Sequence, residues 1–273
     1  MATFVALNKT DHHYAGWQKS DSLAFAANDM VVPVLVEEVP HLLPTMPLAF
    51  INQPDQNGQS QFVLVALLSI QPGTNLFLHP TGRWLAGYMP AAYRGYPFRL
   101  LPDQNGKMVV CFDKDSGLVR DEHMPGDEVF FTSEGDLSEA TKNVTKFLEL
   151  CEKNRQITQV VVNQLAEKGV IREWPLSVSN PQGDKHPLKG LYKADEDALR
   201  SLSPDDLADL SKSGGLSIAY AQLLSQHRVS VFPKLFNIRK EMEKMQASSS
   251  AEVDVDELFG EGSDTLNFDF LNN

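Results

Sequence analysis

The chain has little cysteine, no long apolar run and no excess of positive charge. Two thiols in 273 residues, Cys111 and Cys151, are too few for a disulfide framework, and their spacing matches no metal motif. Their neighbours are apolar (VVCF and FLELC), so both read as core positions. The longest apolar run, residues 62–70, falls far short of the ~20 residues a membrane-spanning helix needs. The N-terminal stretch MATFVALNKTDHHY lacks a cationic region followed by an apolar one, so no secretory signal is expected. These absences point to a soluble, cytoplasmic protein without membrane insertion. The net charge is −12, and no basic stripe of the kind nucleic acid requires is present.

Signatures of catalysis are also missing. The sequence contains no G-x-S-x-G elbow, no Walker A loop and no H-E-x-x-H. It has no Rossmann glycine fingerprint. The seven histidines (His12, His13, His41, His79, His123, His186 and His227) are scattered. None begins the His-x-Asp/Glu pattern of a two-His-one-carboxylate iron site. Asp11-His12-His13 matches no zinc spacing and reads as an exposed polar loop. The expectation is a protein with no cofactor, no metal and no catalytic residues, whose role is binding.

What is present is a series of hairpins followed by helices. Phe4, Val5 and Leu7 suggest a short strand, and 22–27 another before the turn pair Asn28-Asp29. Residues 31–36 are β-branched and apolar. Pro40, Pro44 and Pro47 exclude a long helix after them. A hairpin is expected from 48–51 through Asn57-Gly58 to 61–70. Its second arm, FVLVALLSI, is apolar at nearly every position, as in a strand covered on both faces. Strands are read at 76–79 and 83–88 around Pro80-Thr81-Gly82, and a helical turn at 90–93. A further hairpin joins 98–101 to 108–113. The pattern predicts one largely antiparallel sheet of about six to eight strands.

From Asp136 the period changes. Asp136-Leu137-Ser138-Glu139 resembles a capping box. Apolar residues from Leu137 through Ala140, Val144, Phe147, Leu148, Cys151, Ile157 and Val161 to Leu165 recur at helical steps. Gly169 is the expected stop. A hairpin between 174–179 and 190–193 is read around 181–184. Helices are then read from Ser203-Pro204, over 216–226 and over 231–244. The fold class is α+β: a hairpin-built, mainly antiparallel sheet, then a long helix and a C-terminal helical region. One domain is expected over 1–246, β-rich to 132 and helix-rich from 133.

Residues 247–273 differ in composition. They hold seven carboxylates and no Lys or Arg, which leaves −5 on the rest of the chain. This stretch reads as a disordered acidic tail. It also carries Leu258, Phe259, Leu266, Phe268 and Phe270. Those side chains suggest docking onto a sheet edge or groove of a protein partner, with the acids steering the approach; a plain solvating tail is the other reading.

The densest chemistry lies at 75–98, NLFLHPTGRWLAGYMPAAYRGYPF. Here Arg83, Trp84, Tyr88, Arg94 and Tyr96 form a candidate ligand site. Arginine beside aromatics grips a carboxylate or phosphate while rings hold an apolar group. The competing reading, ranked ahead of it, is core packing. The G-R-W-L-x-x-Y-x-P-A-x-x-R-x-Y-P-F run resembles the SapC family of bacterial proteins. Val110-Cys111-Phe112-Asp113, Gly190-Leu191-Tyr192-Lys193 and Ala219-Tyr220-Ala221 extend the resemblance over most of 4–230. Ala86 and Gly95 stand where the family pattern has Gly and Arg, which thins the positive charge beside Arg94. The resemblance implies a cytosolic bacterial protein linked by its name to surface layers, with neighbours in outer-membrane uptake systems. It implies no reaction. Two functions follow as expectations: a non-enzymatic accessory or adaptor protein binding a partner partly through its tail, or a small-molecule or peptide-binding protein with its pocket at 83–96.

Overall fold

The structure, a computed structural model, describes residues 3–20, 22–55, 58–179 and 185–250. The chain opens with β1 (Phe4–Ala6), a short α1 (Lys9–His12) and β2 (Gly16–Trp17). Strand β3 (Val31–Pro33) and α2 (Val39–Leu42) lead into the hairpin of β4 (Leu48–Pro54) and β5 (Ser60–Leu67). Helix α3 (Ala91–Arg94) precedes the hairpin of β6 (Phe98–Pro102) and β7 (Met108–Asp113). The short β8 (Val119–Arg120) and β9 (Glu128–Val129) come before α4 (Glu139–Glu167). Then follow β10 (Ile171–Glu173), β11 (Leu176–Ser179), β12 (Lys185–Leu188) and β13 (Leu191–Ala194). Four helices finish the described chain: α5 (Glu196–Arg200), α6 (Pro204–Ser213), α7 (Gly215–Ser225) and α8 (Phe232–Ser250).

The class is α+β, with antiparallel strand pairing. The strands do not form one sheet. They divide into a five-stranded sheet ordered β10-β13-β4-β5-β3, two three-stranded sheets ordered β1-β7-β6 and β8-β2-β9, and the β11-β12 pair. The division follows the packing. One large apolar cluster surrounds the five-stranded sheet. A second gathers Trp17, Phe98, Phe112, Phe130, Phe131 and Leu148 from both three-stranded sheets and α4. Each hairpin therefore buries its apolar face in the nearer cluster, as a half-buried antiparallel sheet must.

Strand β5 lies inside its sheet, between β4 and β3. Leu64, Val65, Ala66 and Leu67 are all buried, so both faces are covered. Burying each such leucine stabilises the fold by about 2 kcal/mol.

Helix α4 links the two clusters, with Leu148 in one and Val161, Val162 and Leu165 in the other. Its N-cap is Ser138, whose Oγ accepts from Thr141 N at 3.1 Å. Asp136 cannot cap it: a turn holds that residue, with its carbonyl accepting from Thr132 N at 2.7 Å. Gly169 ends the helix at φ 69°, a left-handed conformation that glycine adopts without a Cβ clash. Leu137 and Ile157 belong to the expected apolar stripe but are 36% and 45% exposed.

Three local expectations are overturned. Residues 24–26 form a 3-10 turn instead of a strand. The buried Asn75 fixes that turn, donating from Nδ2 to Ala26 O at 3.1 Å and from its backbone to Ala27 O at 2.8 Å. The stretch 76–88 holds a single bridge, Leu78 to Trp84, in place of two strands. The expected partner of β11 is also wrong. It pairs with β12, while β13 lies between β10 and β4; Trp174 N donates to Leu191 O at 2.8 Å and seals that edge.

Ser203 caps α6 as expected, accepting from Asp206 N. Helix α8 continues through Ser250, past the composition change at 247. Leu258, Phe259, Leu266, Phe268 and Phe270 lie outside the described residues.

Candidate functional site

The Arg–aromatic stretch is organised by a residue that the sequence did not single out. Glu38 is 3% exposed, and its carboxylate accepts three hydrogen bonds. Tyr88 Oη donates at 3.0 Å and Ala91 N at 2.6 Å to Oε1, and Leu35 N at 3.0 Å to Oε2. Such a set satisfies a buried carboxylate that would otherwise be costly. Helix α4 holds this segment in place: Val36 N donates to Thr158 Oγ1 at 2.9 Å, and Asn154 Nδ2 to Glu37 Oε2 at 2.8 Å.

Arg94 closes the cluster from outside. Its Nη2 donates to Tyr88 Oη at 3.0 Å and lies 3.8 Å from Glu38 Oε1. Its guanidinium sits over the rings of Tyr88 and Phe147 at 5.4 and 5.3 Å. His41 stacks on the same Tyr88 ring, with centroids 4.9 Å apart. Burial first, then the Glu38 charge, pushes the Tyr88 hydroxyl up to about 12. Burial likewise raises the nearby Cys151 thiol, with Arg94 pulling it down and Glu38 pushing it up. Trp84 is half-buried, donates from Nε1 to Tyr88 O at 2.9 Å, and packs on Phe77 and Tyr93.

Tyr93 and Tyr96 project from α3 and the turn after it. Tyr93 Oη donates to Asp29 Oδ2 at 2.8 Å, and Tyr96 Oη to Asp113 Oδ2 at 3.2 Å. Phe25 stacks on Tyr96 at 3.7 Å and meets Tyr93 edge-on at 5.7 Å. Burial, then the partnered carboxylate, raises both hydroxyls, Tyr96 to about 12. Both therefore stay protonated donors near neutral pH.

This pair forms a wall between two concavities. On one side is a cavity of about 570 Å³ whose lining includes Phe4, Phe25, Val32, Tyr93, Tyr96 and Leu148. It is bounded by β3, by the edge of the β1-β7-β6 sheet and by α4, where the two apolar clusters meet. On the other side is a cleft of about 510 Å³ lined by Arg83, Trp84, Arg94, Tyr93 and Tyr96.

The structure thus brings together four of the five expected site residues in that cleft. Tyr88 does not line it and faces Glu38 instead. Arg83 is exposed and makes no ion pair among the described residues. The aromatic cavity and its carboxylates, Asp29 and Asp113, were not foreseen. Asp29 reads locally as a turn residue and Asp113 as a strand end; only folding sets them against Tyr93 and Tyr96. The Asp11-His12-His13 cluster is split up, with His12 buried edge-on to Phe112 at 5.0 Å. Cys111 is buried and Cys151 half-buried, and both thiols are free.

No helix among the described residues is long and apolar enough to cross a membrane. No curated protein and no solved structure matches the chain. A family model described as SapC matches residues 7–231, from just after β1 to just before α8, and so takes in the Glu38 cluster, the tyrosine wall and the lining of both concavities apart from Phe4; the chain belongs to the SapC family.

Proposed function

We propose that this SapC protein is a non-catalytic binding protein for a small molecule or peptide, held at the Tyr93–Tyr96 wall. The observation that supports it most is the 570 Å³ cavity where the two apolar clusters meet. A void of that size fits a small ligand, and apolar walls with a few placed polar groups are the usual make-up of ligand sites. The cleft holding Arg83, Trp84 and Arg94 is the second mouth of the same wall and suits an anionic extension of the ligand.

Ligand-observed NMR with a fragment collection tests this directly. Hits on the wild-type chain should weaken in Phe25→Ala, a partly exposed position whose loss leaves the core intact. A collection that yields no hit, or hits that ignore Phe25, removes the reading.

A second reading rests on the acidic stretch 247–273, with its phenylalanines among seven carboxylates. In it the protein is a cytoplasmic accessory or adaptor of a surface-layer or outer-membrane uptake system, gripping a protein partner through Phe259, Phe268 and Phe270. Affinity capture with the full chain and with a chain ending at Ser250 tests it. A partner lost with the tail supports the adaptor, and identical captures remove it.

A further inference from the structure

Asp29 and Asp113 line the 570 Å³ cavity, and the groups that hydrogen-bond to their side chains are all neutral. Asp113 is 4% exposed. Its Oδ1 accepts from Thr3 N and Asp115 N, both at 3.1 Å, and its Oδ2 from Tyr96 Oη. Asp29 accepts from Tyr93 Oη at Oδ2, while its Oδ1 accepts no hydrogen bond among the described residues. Neither carboxylate has a cation within 4.0 Å among those residues.

Two arginines, with Glu152, also line the cavity, and neither arginine lies within ion-pair distance of Asp29 or Asp113. Arg155 is closed onto Glu152 by two hydrogen bonds of 2.7 and 2.8 Å. Arg99 is exposed, with its guanidinium over the Phe4 ring at 4.9 Å. The buried Asp113 and the half-buried Asp29 therefore have only hydroxyl and amide donors as direct partners, and with Arg155 paired to Glu152 the one other charge on the lining is the exposed Arg99, against two carboxylates. Neutral donors satisfy the lone pairs of a buried anion, but they leave its charge uncompensated.

From this we infer that the cavity takes a cationic ligand: a primary or secondary ammonium group carried on an aromatic or similarly flat apolar body. The inference rests on the binding function proposed above and adds the charge and shape of the ligand. The ammonium donates to the free Oδ1 of Asp29 and gives the carboxylate pair its missing positive charge. The apolar body lies against Phe25, Tyr93 and Tyr96, whose ring faces also attract the cation. The Tyr93 and Tyr96 hydroxyls hold the two carboxylates in place and so pre-organise the site.

Three probes of one skeleton test it on the full chain: 3-phenylpropan-1-amine, 3-phenylpropan-1-ol and 3-phenylpropanoate. Their affinities are measured by ligand-observed NMR at neutral pH and low salt. The amine is expected to bind about tenfold more tightly than the alcohol, as one charge-assisted hydrogen bond provides, and the acid more weakly than either. Asp29→Asn keeps the side-chain shape, and a circular dichroism spectrum checks that it folds. It should bring the amine down to the affinity of the alcohol, and Asp113→Asn should act in the same direction. Equal binding of the three probes, preference for the acid, or an amine preference that survives in Asp29→Asn overturns the charge assignment and leaves the binding function standing. Failure of all three to bind overturns both.

Discussion

The Tyr88 hydroxyl donates to Glu38 Oε1 across 3.0 Å, joining positions 50 residues apart. The same oxygen accepts from Ala91 N, so one buried carboxylate ties the segment before α2 to the middle of the Arg–aromatic stretch. Glu38→Ala is expected to cost about 3 kcal/mol, because it strands the amides of Leu35 and Ala91 and removes the counter-charge of Arg94. Tyr88→Phe should cost about 1 kcal/mol, since one hydrogen bond is lost and the ring remains. Urea unfolding checks the order. A Tyr88→Phe loss as large as that of Glu38→Ala would show that the hydroxyl, and not the carboxylate, holds the cluster.

Alkaline titration probes the tyrosines. Tyr88 and Tyr96 are both pushed from 10.0 to about 12 in the folded chain. The folded state therefore holds more protons than the unfolded state between pH 10 and about 12, and stability should fall with rising pH across that window. Below pH 10 this contribution is fully present. Tyrosinate absorbance should show a late-ionising group that shrinks in Tyr88→Phe and again in Tyr96→Phe. Ionisation of all tyrosines near pH 10 in the folded protein would contradict the hydrogen bonds to Glu38 and Asp113.

The start of α4 separates two capping assignments. Ser138 Oγ accepts from Thr141 N and donates to Val129 O. Ser138→Ala should destabilise the protein by about 1–2 kcal/mol, whereas Asp136→Ala, outside the helix, should change it by less than about 0.5 kcal/mol. Thermal unfolding of the two variants distinguishes them, and the reverse order would make Asp136 the cap.

Gly16 sits in the middle strand of the β8-β2-β9 sheet. A Cβ there would meet Glu128 O at 2.7 Å and His123 Cβ at 2.8 Å. Because the first contact is backbone, Gly16→Ala must push β2 away from β9, and a loss of about 1–3 kcal/mol is expected. Chemical denaturation reads it directly; a neutral effect would mean that this small sheet shifts freely.

The sequence was most legible where a local signal and the global packing agree. The apolar run of β5 specified an interior strand because its second half, residues 64–67, is buried on both faces. Ser203-Pro204 marked the start of α6 through chemistry confined to one turn. The β6-β7 hairpin was legible in the same way, between 98–101 and 108–113. Trp84, Arg94 and Tyr96 stood out because aromatics and arginine concentrate where contacts are dense.

Long-range choices were not legible. Ser138 outcompetes Asp136 as a cap because a turn with Thr132 has already engaged Asp136. Strand β13 joins β4 instead of closing a hairpin with β11, because edge pairing is decided by which surface lies nearby. By itself the sequence determined the α+β class, the main helices and hairpins, and the stretch around which side chains crowd. Tertiary structure alone decided that Glu38 is the buried hub of that stretch, that the strands split between two apolar clusters, and that Asp29 and Asp113 meet a tyrosine wall across a cavity. The physical reason is that helix periods, caps and turns are fixed over a few residues. Partners of a buried carboxylate and the walls of a cavity come from segments tens of residues apart, set side by side only by packing.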